Sequence, residues 1–163
     1  VELLVSDSSV LIDLERGELL FVALASPLTF VVPDQLYEAE LHAQGGASWV
    51  AGGLRVVDLS GDEVEQGQSY LKRDGALSVS DAFALALAAG RRWTLLTGDA
   101  RLRALAEADR VPVHGTLWLI EELRAHVDAL TLATGLERMA AHPRARLPRL
   151  EVRQLLERLR IVS

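Results

Sequence analysis

Five short apolar, β-prone runs recur along this chain, each followed by residues with helical spacing, and that alternation constrains the fold more than any other feature. The runs are "LLVS" from Leu3, "TFVV" from Thr29, "LRVVDL" from Leu54, "WTLL" from Trp93 and "VPVHG" from Val111. Strands that alternate with helices cannot pair as hairpins and predict a mostly parallel sheet covered on both faces. Each stretch between runs has its own helix signals. "DSSVLIDLERG" is closed by Gly17, and a second short helix follows over 18–25. "PDQLYEAELHAQGG" predicts one helix opened by Pro33 and Asp34 and ended by Gly45 and Gly46. A polar helix is expected over 62–73. "LSVSDAFALALAAG" is apolar nearly all round after Asp81, the pattern of a buried helix. Beyond the last run, Leu119, Ile120, Leu123, Val127 and Leu130 share one helical face. Val152, Leu155, Leu156 and Leu159 share another, after the joint "HPRARLPRL".

At 163 residues the chain is long enough to bury a core without staples, and it has no cysteine. Disulfides, thiolate zinc sites and thiol catalysis are thereby excluded, and a reducing cytoplasm is the expected setting. The opening "VELLVSDSSV" lacks the pattern of a secretory signal, and "LLFVALASPLTFVV" is too short and too broken to span a bilayer. Charge is uneven. Residues 142–163 carry six Arg and two Glu, a net of +4, against −10 on the rest of the chain. The basic segment is either the wet face of an amphipathic helix or a place where an anion such as a phosphate docks, with Arg144, Arg146 and Arg149 as the candidates for that contact.

In an open parallel sheet, ligands bind at the carboxyl ends of the strands. Asp7 and Asp99 each stand there, just after an apolar run and just before a helix. Each could simply cap its helix, because Asp is among the best N-cap residues. Asp81 is the only charge in a run of small and apolar residues, and Ser78 and Ser80 compete with it as caps. In the helix after Val32, about 100° per residue places Glu40 on the inward arc with Leu36, Tyr37 and Leu41, and Glu38 well outside it. Four inward carboxylates would repel one another, so the set makes chemical sense mainly around cations. Oxygen-only donors suit Mg²⁺ or Mn²⁺ rather than zinc, and His42, His114, His126 and His142 are scattered. Cations held at a strand-end crevice can activate water and neutralise a phosphodiester, which is nuclease chemistry.

Three stretches, "LLVSDSSVLIDL", "SVSDAFALALA" and "LLTGDARLRALAE", in that order, resemble the acidic motifs of PIN domains, the metal-dependent ribonuclease fold used by VapC-type toxins. "EAEL" is similar to the weaker second motif, with Glu40 its acid and Glu38 the alternative. The resemblance covers residues 1 to about 120, and the continuation is similar to a PIN branch with a C-terminal extension. It implies a three-layer α/β/α sandwich with four to five strands. A nuclease domain would span 1–120, and a helical extension over 121–163 would pack on that same domain. It further implies one or two Mg²⁺ or Mn²⁺ ions on Asp7, Glu40, Asp81 and Asp99, with the hydroxyls of Ser8 and Thr97 nearby. The expected activity is hydrolysis of RNA. The expected partners are an RNA substrate, an antitoxin protein if the chain is half of a toxin–antitoxin pair, and a second copy in a homodimer. A PIN-like module that binds without cutting is the alternative. A dehalogenase-like phosphatase would need Asp-x-Asp where this chain has Asp7, Ser8 and Ser9, and no Walker or G-x-G-x-x-G sequence is present.

Overall fold

The computed structural model describes residues 3–161 and realises the alternation. β1 (Leu3–Ser6) leads into α1 (Ser8–Arg16) and α2 (Leu20–Ala25). β2 (Thr29–Pro33) leads into α3 (Asp34–Leu36) and then α4 (Gly46–Gly52). β3 (Arg55–Val57) precedes α5 (Gly61–Arg73) and α6 (Val79–Arg91), and β4 (Thr94–Leu96) precedes α7 (Ala100–Ala108). β5 (Val113–His114) is followed by α8 (Thr116–Leu123), α9 (Ala129–Ala141) and α10 (Arg149–Ile161).

The five strands lie in the order β3-β2-β1-β4-β5, and every pair is parallel. Helices cover both faces of the sheet. From β1 the chain first builds outward through β2 and β3. It then returns along α5 and α6 to place β4 on the other side of β1. The direction of winding therefore reverses beside β1, and the crevice at the carboxyl ends of β1 and β4 is the switch point where such sheets bind ligands. Backbone bonds hold this edge together beyond the strands: Asp7 N–H donates to Leu96 O at 3.0 Å, and Thr97 N–H to His114 O at 2.9 Å.

α6 reaches the crevice because it is buried. Its alanines 82, 84, 86 and 88 let it approach β1, β2 and β4 closely, and Leu85 and Leu87 are fully enclosed. Each such leucine contributes about 1.5–3 kcal/mol by leaving water, so packing rather than propensity holds this helix in place.

Two expected helices differ in the structure. The segment after β2 is not one regular helix. α3 widens into a π turn at Tyr37–Leu41 and tightens into a 3₁₀ turn at His42–Gln44; Gly45, at φ +94°, ends it, and α4 starts at once. The expected helix face running from Leu119 to Leu130 is also interrupted. α8 stops at Leu123, and Asp128 caps a new helix by accepting from Thr131 N–H at 2.9 Å. Leu130 is consequently 67% exposed rather than part of the buried face.

The C-terminal helices close onto the sheet domain through α1. A Cβ on Gly17 would lie 2.7 Å from Gly135 O and 2.8 Å from Met139, so α9 passes at a distance only glycine permits. Val152, Leu155 and Leu159 of α10 complete the same core. Arg158 pairs with Glu121 and Arg160 with Glu137, so this part of the basic segment is spent on internal ion pairs. No helix among the described residues is long and apolar enough to cross a membrane.

Candidate active site

Asp7 leaves β1 with extended backbone and caps α1. Its Oδ1 accepts from Val10 N–H at 3.1 Å and from the Ser9 hydroxyl at 2.8 Å, and its Oδ2 accepts from the Thr97 hydroxyl. The residue is buried, and loss of water pushes its carboxyl pKa up; the Thr97, Ser9 and Val10 bonds oppose the rise, and the charge of Asp99 adds to it. On the other side of the switch point, Asp99 caps α7 by accepting from Leu102 N–H at 2.9 Å. Its own N–H donates to Thr97 Oγ1 at 3.0 Å, so this one hydroxyl ties together the acids that end β1 and β4. Both strand-end aspartates are thus helix caps, and both are also neighbours of a second acid.

Asp81 is not a cap. Ser78 takes that job, its Oγ accepting Asp81 N–H at 3.0 Å. Burial raises its pKa first, and the charges of Asp7, Asp99 and Glu40 raise it further, against a bond with Ser78, to about 6 from an ordinary 3.8. That three acids from three other elements act on this one places all four in a common field. Glu40 comes from the π turn. Ser8 donates to its Oε1 at 3.1 Å, while its Oε2 is buried without a hydrogen-bond partner. Glu38 lies in the open and pairs with His42 at 3.9 Å. The inward acid is therefore Glu40, although the turn that aims it has a wider spacing than the regular helix assumed from sequence. Insertions of this kind into helices frequently mark functional sites.

The residues fit a hard divalent cation. Every donor is an oxygen, one carboxylate oxygen is buried and unpartnered, and the repulsion that adds to burial in raising the Asp81 pKa is what a cation would relieve. Among the described residues no three of His, Cys, Asp and Glu already stand together as a finished metal cluster. The acids share a field rather than a ready-made cage.

Other neighbours were not singled out from sequence. Ser9, besides bonding Asp7, accepts Gly98 N–H at 3.3 Å. One turn further along α1, Asp13 accepts from the Thr116 hydroxyl at 2.9 Å, and burial pushes its pKa up against that bond and against Arg16 and His142. Ser9, Asp13 and Arg16 follow an i, i+4, i+7 spacing from the first strand end, so the helical arithmetic used for Glu40 would have found this face. Of the basic candidates, Arg144 and Arg146 line a cavity that also includes Asp99, whereas Arg149 does not line it.

A parallel α/β sheet with Asp7 and Asp99 at the strand ends beside its switch point defines the class of protein. Residues 3–160 match the family model DUF3368, described as a PIN domain, and the chain belongs to the PIN-domain family. The match runs through the C-terminal helices as well as the sheet. PIN domains are generally nucleases and usually work with divalent metal ions. Among solved structures, the chain is similar to a PilT N-terminus domain protein from the hyperthermophilic archaeon Sulfolobus solfataricus P2. The two share 14% identity at a TM-score of 0.55, over 78% of this chain and 97% of that one, a likeness of fold. No curated protein matches the chain.

Proposed function

We propose that this chain is a ribonuclease that hydrolyses RNA phosphodiester bonds with Mg²⁺ or Mn²⁺ held by Asp7, Glu40, Asp81 and Asp99. What supports the reading is that Glu40 Oε2 is buried and unpartnered and that the Asp81 pKa, raised first by burial, is raised further by the charges of Asp7, Asp99 and Glu40. One or two cations bound there would neutralise the phosphodiester and lower the pKa of an attacking water. The chain's own residues do the positioning. Ser8 holds one oxygen of Glu40, and the other would be left to hold a cation. Thr97, bonded to both Asp7 and the backbone of Asp99, fixes the spacing between the acids of β1 and β4. Asp81 loses its proton more readily once a cation balances its neighbours, so cation binding should release a proton below about pH 6. Water adds to phosphorus, the P–O bond breaks, and a 5′-phosphate and a 3′-hydroxyl leave. If the chain is the toxin of a two-gene pair, an antitoxin protein would hold this activity in check.

Calorimetric titration with Mn²⁺, run beside an RNA-cleavage assay on wild type and Asp99→Asn, tests the reading. Asn caps a helix as well as Asp does, so the variant keeps α7. Cation binding and cleavage by wild type, both lost in a folded Asp99→Asn, are the expected outcome. A wild type that neither binds the cation nor cuts would make the chain a binding module on a nuclease fold.

A further inference from the structure

From the acid crevice a cavity of about 590 Å³ runs toward the joint between α9 and α10. It shares Ser8, Ser9, Thr97 and Asp99 with the crevice, so whatever occupies it meets Asp99, one of the four acids. Its walls bring together arginines from three distant parts of the chain: Arg16 at the end of α1, Arg103 on α7, and Arg144 and Arg146 in the joint. Arg103 lies beside the end of β5, its Nη2 3.2 Å from where a side chain at residue 115 would begin, and Gly115 leaves it that room. Seven arginines elsewhere in the described residues hold a carboxylate in an ion pair. The four in the cavity form none there, and Arg16 only helps to offset the charge of Asp13. Four cations against the carboxylates of Asp13 and Asp99 leave the lining net positive on an acidic chain.

The same cavity holds a flat aromatic surface. Trp118 of α8 stacks on His114 at the end of β5, with ring centroids 4.0 Å apart and planes 7° from parallel. Both rings line the cavity and are only half-buried. Cations spaced along a groove beside a stacked aromatic pair match single-stranded RNA, whose phosphates meet arginine and whose unpaired bases lie on aromatic faces. A base held in a duplex could not offer its face to the pair. An acidic peptide would use the arginines and leave the rings without a purpose.

We infer that this cavity holds the single-stranded RNA flanking the bond that is cut, with phosphates on Arg16, Arg103, Arg144 and Arg146 and an unpaired base on the Trp118–His114 pair. The inference rests on the ribonuclease reading for its substrate and assigns to the C-terminal joint a part in binding it.

The test is fluorescence anisotropy with a short labelled single-stranded RNA in EDTA, across a range of salt, with cleavage in Mn²⁺ measured separately. Wild type should bind the single strand in preference to its duplex. Trp118→Leu should bind about tenfold more weakly, as loss of one base stack does, with its salt dependence unchanged. Trp118→Phe, which keeps an aromatic face, should bind nearly as wild type, and a shared melting temperature would separate stacking from folding. Arg144→Ala/Arg146→Ala removes two exposed cations, and its log–log salt slope should fall by about 1.4, at roughly 0.7 per phosphate contact on single strands. Wild-type binding in all these variants, or no binding by wild type, overturns the inference. If such a result accompanies cleavage that Asp99→Asn abolishes, the ribonuclease reading stands alone. Binding that depends on these residues, without cleavage in Mn²⁺, leaves the groove standing and removes the catalytic reading. Poly-glutamate that displaces the RNA and depends on the two arginines but not on Trp118 would make the groove a peptide-docking site and overturn the inference.

Discussion

Replacing Asp81 by Asn should stabilise the cation-free protein while destroying its affinity for cations. The Asp81 pKa stands at about 6 in the folded chain against 3.8 ordinarily. Between those values the folded protein keeps a proton that the unfolded chain has released, so stability falls as pH rises through the window, and the full penalty remains above pH 6. A shift of about 2 units corresponds to a ceiling of about 3 kcal/mol at 1.36 kcal/mol per unit. The carboxyl is only half-buried, and solvent screening reduces the net penalty to about 1.5 kcal/mol. Asn keeps the shape and the backbone N–H that Ser78 caps, and it has no charge to penalise. In EDTA at pH 7.5, Asp81→Asn should therefore melt about 3–6 °C above wild type, at 2–4 °C per kcal/mol for a chain of this size. The gain should shrink toward zero below pH 3.8. Saturating Mn²⁺ should reverse the order, because only wild type is stabilised by binding. Differential scanning calorimetry at several pH values, with and without Mn²⁺, measures all of this. A variant no more stable than wild type at pH 7.5, or equally favoured at pH 3.5, would refute the idea that burial together with the neighbouring acids strains the Asp81 carboxylate.

Three further outcomes follow from the packing and the hydrogen bonds. Gly17→Ala forces a Cβ to within 2.7 Å of the Gly135 carbonyl, which cannot swing aside as a side chain would, so the variant should lose about 1–3 kcal/mol in urea denaturation. Ser78→Ala removes the cap of α6 and should cost about 1 kcal/mol by the same measurement. Thr97→Val leaves Asp7 Oδ2 without its donor in a buried place and should cost about 1–3 kcal/mol. It should also raise the Asp7 pKa further, which carboxyl NMR titration would report. An unchanged titration would mean that Thr97 does not tie Asp7 to Asp99 in solution.

The acid site follows from the order of the sheet. Asp7 and Asp99 are 92 positions apart in sequence yet adjacent in space, because β4 returns to pair with β1. Both serve as ordinary helix caps, and what distinguishes them is the company of Asp81 and Glu40. The cap at Ser78 matters for the same reason. By capping α6, it leaves Asp81 out of that role.

Much of this was legible in the residues alone. Strand–helix alternation, the apolar stripe of α6 and the positions of Asp7, Asp81 and Asp99 are local features, governed by side-chain period and cap chemistry within a few residues. Glu40 was placed inward by helical angle even though the real segment contains a π turn, because its buried neighbours Leu36 and Leu41 dominate either geometry. The break between α8 and α9 was missed. Its apolar spacing continues across the break, and only packing against α1, with the Asp128 cap, decides where one helix stops and the next begins. Tertiary structure likewise divided the basic segment. Arg158 and Arg160 find glutamates on α8 and α9, while Arg144 and Arg146 face the cavity. It also brought Arg16, Arg103 and Trp118 together from separate elements. Local chemistry sets which element a residue joins, but charge partners and cavity walls depend on contacts between segments far apart in the chain, and those exist only once the sheet has chosen its strand order.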